Sequence, residues 1–91
     1  MQYTREMVLR KVKRTFPQHD PAEILRILDE YGTEPYEGER ERVQLAVLFA
    51  SEGNLLTLGE LVDLARTDYR DVLNFKHEVQ KEFSAWLEHE D

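Results

Sequence analysis

This chain of 91 residues predicts an all-α fold: one domain, residues 1–91, folded as a compact bundle of four to five short helices with the segment 39–52 at its centre. Three observations carry that expectation. Apolar residues recur at three- and four-residue steps along most of the chain, the period of a helix with one buried face. Helix-start signals stand at Asp20-Pro21-Ala22-Glu23 and at Thr57-Leu58-Gly59-Glu60. No stretch shows a sustained apolar–polar alternation of the kind a half-buried strand needs.

The first helix is expected from about Thr4 to Phe16, because Pro17 cannot continue the hydrogen-bond ladder. Its spacing gathers Val8, Leu9, Val12 and Phe16 on one face and leaves Arg10, Lys11, Lys13 and Arg14 on the other. In the second, Asp20 caps the free N–H groups, Pro21 suits the first helical position and Glu23 closes a capping box. That helix is expected to run to Tyr31 and stop at Gly32, burying Ile24, Leu25, Leu28 and Tyr31.

Two glycines and Pro35 make 32–38 a structured loop. The third helix spans about Glu39 to Glu52. Val43, Ala46, Val47 and Ala50 form one face, and Leu45, Leu48 and Phe49 a second, the pattern of a bundle's central helix. The fourth opens at the Thr57 capping box and runs through Leu58, Leu61, Val62, Leu64 and Ala65, with a further cap at Thr67 or Asp68. A fifth is expected from Tyr69 to near Glu88. Tyr69, Val72, Val79, Phe83 and Trp86 recur along it like a short heptad seam, broken at Lys76. Whether helices four and five are separate is open at this level, and residues 89–91 are expected to fray.

Composition narrows the chemistry. Without cysteine there is no disulfide, thiolate zinc site or cysteine nucleophile. The longest apolar run, Leu45 to Ala50, is far short of the roughly 20 residues of a membrane span, and no signal-peptide core follows the N-terminal basic residues. A cytoplasmic protein with no membrane contact is the expectation. The net charge of −7 is uneven: residues 1–16 carry five basic groups against Glu6 alone, and the remainder seven basic groups against eighteen acidic ones.

The run LDEYGTEPYEGERERVQLAVL, residues 28–48, is followed by SEGNL, ELVDLA and DYRDVL. From about Val8 to Leu73 the chain resembles a small uncharacterised bacterial family of one-domain helical proteins. The resemblance implies compactness and a bacterial cytosolic setting, and implies no activity or cofactor. The tail after Leu73 departs from that pattern, so Phe83 and Trp86 lie outside it.

Catalytic constellations are missing from the sequence. His19, His77 and His89 form no four-residue pair, no glutamate precedes a histidine by three, and neither Ser51 nor Ser84 sits in a nucleophile elbow. No cofactor is indicated and no metal or catalytic residue is assigned. The candidate interaction residues are Phe75, Val79, Phe83 and Trp86 on the last helix, and Tyr36, Glu37 and Arg40 around the acidic-aromatic loop. Asp68, Arg70 and Asp71 form a third group, read chiefly as a helix cap; the two carboxylates, three apart, are also spaced to hold Mg²⁺ through its waters.

The function expected from the sequence is therefore a non-enzymatic helical protein-interaction module. Its partner is another protein or a second copy, with self-association through the C-terminal helix and Phe83 and Trp86 as anchors. The alternatives are a nucleic-acid-associated regulator using the basic face of helix one, which the acidic body disfavours, or a small metal-binding protein or enzyme using Asp68, Asp71 or His77.

Overall fold

A computed structural model describes residues 2–89. Five helices follow one another in it: α1 (Arg5–Thr15), α2 (Pro21–Leu28), α3 (Arg40–Ser51), α4 (Leu55–Leu73) and α5 (His77–Glu88), with no strand among the described residues. α3 is the central helix, packed against α1, α4 and α5. Val43, Leu45, Ala46, Val47 and Leu48 along it are each at most 1% exposed. The all-α bundle with 39–52 at its heart is thus the architecture observed.

Local chemistry explains the starts. The Met7 N–H donates to Thr4 Oγ1 at 3.2 Å and the Ala22 N–H to Asp20 Oδ1 at 3.0 Å, so both first turns have a side-chain cap. α4 begins earlier than its capping box suggested. Asn54 is the cap, its Oδ1 accepting from the Thr57 N–H at 2.9 Å, which draws Leu55 and Leu56 into the first helical turn. Asp68 then breaks α4 with an extended backbone, and its Oδ1 accepts from the Arg70 N–H at 3.1 Å to start the short segment that ends at Leu73. The cap expected near Asp68 is therefore present.

The continuous fifth helix is not. Asn74, Phe75 and Lys76 are non-helical, and Lys76 is the N-cap of α5. The gap in the heptad seam at Lys76 is a break in the backbone, and the seam divides between the end of α4 and α5.

α1 buries three of the four residues expected on its inner face and takes in Lys11 in place of Leu9. Val8, Val12 and Phe16 are buried, Leu9 is exposed, and Lys11 is 2% exposed. Lys11 lies three residues from Val8, on the same helical stripe. Its Nζ lies over the Trp86 ring, 5.0 Å from the centroid, and donates to the His89 carbonyl at 2.9 Å. That carbonyl lies at the C-terminal end of α5, where a cation is favoured. His89 itself is held there, its N–H donating to the Ala85 carbonyl at 3.1 Å. The fraying expected at Glu90 and Asp91 lies outside the described residues.

α2 stops at Leu28, three residues before its expected end. Its last turn tightens, with the Glu30 N–H donating to Ile27 O and the Tyr31 N–H to Leu28 O. Two carbonyls of that end are served by a side chain of α3: Gln44 Nε2 donates to Leu28 O at 3.0 Å and to Tyr31 O at 3.2 Å. It also lies 3.1 Å from Asp29 Oδ1. Arg5 of α1 completes the junction with paired bonds to Asp29, 2.7 Å from Nη1 to Oδ1 and 2.6 Å from Nη2 to Oδ2, and donates to Gln44 Oε1 at 3.1 Å.

Removing the Gln44 amide takes a donor from the Tyr31 carbonyl and from Leu28 O, which keeps the Tyr31 N–H; a buried group left without a partner costs about 1–3 kcal/mol. Gln44→Ala is expected to lower stability by about 2–3 kcal/mol, read as a lower urea midpoint at unchanged m value. A variant that unfolds like the wild type would show that the amide does not support the junction.

Candidate functional site

The structure brings four of the sequence candidates together. Tyr36, Glu37, Asp68 and Arg70, with Arg66 and Tyr69, line a shallow cleft of about 240 Å³ where the 32–38 loop meets the break in α4. Glu37 was expected as an interaction residue of the acidic-aromatic loop; it is instead buried and organises that loop. Its Oε1 accepts from the N–H groups of Gly32, Thr33 and Glu34 at 2.9, 3.0 and 3.2 Å. The positive φ of Gly32, 101°, turns the chain so that these groups converge. Tyr31, buried beside it, donates from its hydroxyl to Gly38 O at 2.6 Å.

Electrostatics follow from that packing. Burial alone would raise the Glu37 carboxyl, but the three N–H donors and the Arg66 guanidinium 3.8 Å from Oε2 hold it below its usual range. Burial also opposes the Asp29 charge, and the hydrogen bonds from Arg5, Gln44 and Arg40 overcome it, so its carboxyl is lowered too. Burial pushes the Tyr31 phenol up to about 12, helped by the negative charge of Glu37.

Every charge in this cleft already has a partner. Arg70 donates from Nε to Asp68 Oδ1 at 3.1 Å, and this contact holds the Asp68 carboxyl below its usual value. Asp68 is therefore a cap and an ion-pair partner. Asp71 is exposed, and among the described residues no group of three or more histidine, aspartate or glutamate side chains is placed to hold a metal. Tyr36 is 72% exposed at the rim. Arg40 points away, toward Asp29, at 3.3 Å.

The C-terminal aromatics turn inward. Phe83 is 1% exposed, and its ring lies 5.3 Å from Phe49, 5.2 Å from Phe75 and 6.1 Å from Trp86. Phe49 also meets Phe75 at 5.8 Å and Trp86 at 5.5 Å, so α3 and α5 share one aromatic cluster. Phe75, Val79 and Trp86 are half-buried. The expected anchor Phe83 offers no surface to a partner, because a large apolar ring gains more from the core than from the solvent edge.

The open apolar surface lies elsewhere, and it includes Leu55 and Leu56, which precede the helix start expected at Thr57. Ile27 and Glu30 of the α2 end face Leu55, Leu56, Gly59, Glu60, Val62 and Asp63 across a groove of about 560 Å³. The residues of α4 that line it recur at three- and four-residue steps, the consequence of Asn54 starting the helix early. Leu56 is 75% exposed. Gly59 forms part of the lining, and a Cβ added to it would meet nothing within 4 Å. The only sequence-level signal was the residue types themselves: paired leucines directly after an Asn cap, with a glycine one turn on.

Two outcomes test this geometry. The unfolded chain binds more protons than the folded one as pH falls toward the carboxylate range. Stabilisation by Glu37 and Asp29 is therefore complete only well above their ordinary values, from about pH 6 upward, and is lost as pH falls through those values and then through the lowered folded ones. Glu37→Gln is expected to cost about 1–2 kcal/mol at neutral pH and to flatten the acid loss of stability in a urea and pH series; a wild-type acid profile would exclude this role. Gly59→Ala is expected to raise stability by about 0.5–1 kcal/mol, since it restores helix propensity into open space. Destabilisation in thermal unfolding would mean that the fold itself requires the glycine.

Set against protein-family models, curated proteins and solved structures, the chain has no match, so its function is argued from this geometry.

Proposed function

We propose that this protein is a non-enzymatic helical interaction module that receives a segment of another protein in the groove between the end of α2 and the first half of α4. One observation carries the reading: Leu56 stands 75% exposed beside the half-open Leu55 on a concave apolar surface. Helical proteins use such grooves to take up the apolar anchors of a partner segment. The reading shifts the docking surface from α5 to α4, because the aromatic residues first considered as anchors are engaged with Phe49. The pairing of every charge in the Tyr36–Arg70 cleft supports a non-catalytic role, since a general base or nucleophile must be left able to react. No described helix is long and apolar enough to cross a membrane, and the bacterial resemblance suggests a cytosolic setting.

The test uses the full chain as bait in an extract of its source, with wild type and Leu56→Glu side by side. Leu56 is exposed, so the variant is expected to unfold within a degree or two of wild type. A protein retained by wild type, then purified and rebound, is expected to lose at least about tenfold in affinity for the variant, in line with the worth of one buried leucine. Equal binding to both baits, or none to either, rejects the groove as the docking surface.

A further inference from the structure

The same groove carries a charge pattern that specifies its occupant. Glu30, Glu60 and Asp63 stand along it, all three exposed, and the lining contains no basic side chain. Four carboxylates elsewhere in the fold have an arginine beside them: Asp29 with Arg5 and Arg40, Glu37 with Arg66, Glu39 with Arg42, and Asp68 with Arg70. Among the described residues no cation pairs with any of the three at the groove. Three like charges around one apolar trough repel each other, and that repulsion is relieved when a partner brings cations to the rim.

Gly59 adds an independent observation. A glycine within a helix is unfavourable, and here neither a positive φ nor a close neighbour in the fold accounts for it. What its missing side chain provides is an open floor between Leu55 and Asp63, a stretch of about 12 Å along the helix axis at the usual rise per residue. That length matches about two turns of a docked helix.

Resting on the interaction reading above, we propose that the occupant is a basic amphipathic helix of another protein. Two apolar side chains about one turn apart lie over Gly59 against Leu55, Leu56 and Ile27, and lysine or arginine residues on both flanks reach Glu30, Glu60 and Asp63. The apolar floor supplies affinity, and the acidic rim selects the sign of the partner and speeds its approach.

The experiment titrates three synthetic helical peptides into the isotopically labelled full chain and follows its amide resonances. The peptides share one leucine stripe and carry lysine, glutamine or glutamate on the flanks. The lysine peptide is expected to shift the amides of Ile27, Glu30 and Leu55 to Asp63, to bind at least tenfold more tightly than the glutamine peptide, and to weaken with added salt. The triple variant Glu30→Gln/Glu60→Gln/Asp63→Asn is expected to lose that preference. Gly59→Leu, which fills the floor, is expected to abolish binding while its Tm stays at or above that of wild type. A lysine peptide that binds Gly59→Leu as it binds wild type overturns the proposal.

Other outcomes separate the two ideas. Glutamine or glutamate peptides that bind the groove as well as the lysine peptide overturn the basic partner and leave the docking groove standing. A lysine peptide whose shifts spread over other acidic surfaces, or survive in the triple variant, also overturns it. If no peptide moves the groove amides, both ideas fall. If unlabelled chain added in excess shifts those amides, the occupant is a second copy and the proposal of a separate basic partner fails.

Discussion

The arrangement depends on how one helix end is satisfied in the interior. α2 terminates against α3, where its last turn tightens and the buried Leu28 and Tyr31 carbonyls call for a donor from outside the helix. The Gln44 amide fills that need from the middle of α3, and it does so only in one relative placement of the two helices. Asp29, at the same end, brings a buried-edge charge that Arg5 of α1 answers with two parallel bonds. Three helices are thereby locked at one point by directional contacts, while the surrounding valines and leucines supply non-directional attraction.

From that point the chain leaves along the 32–38 loop, which is rigid for a second electrostatic reason. A carboxylate inside a protein is tolerated when N–H groups surround it. Glu37 collects three of them and extends to Arg66 on α4. Tyr31 ties the same loop to Gly38, and its ring lies 6.5 Å from that of Tyr69 beyond the break in α4. The loop therefore fixes α4 with respect to α2, and the groove between them is a consequence of that fixation.

α5 closes the opposite side with the Phe49, Phe75, Phe83 and Trp86 cluster and with Lys11 reaching its C-terminal end. Aromatic rings that a terminal helix displays in sequence are drawn inward because α3 presents Phe49 to meet them. Apolar surface is left instead at the start of α4, where Leu55 and Leu56 stay exposed among the described residues.

Helix content, the caps at Asp20 and Asp68 and the central place of 39–52 were legible in the sequence, because capping and 3.6-residue periodicity are local and need nothing from distant parts of the chain. On α1 Val8, Val12 and Phe16 were legible as the inner face and Lys11 was not, since a lysine one turn from Val8 looks like surface until the end of another helix is there to receive its ammonium. The groove was illegible for the same reason. Leu55, Leu56 and Gly59 stand in the sequence as a connection and an ordinary helix start, and only the lock at Gln44 and Glu37 sets α2 across from them. Local hydrogen bonding and helical period determined which segments are helices; tertiary packing decided which faces they hide, because burial is a property of the neighbours a side chain meets.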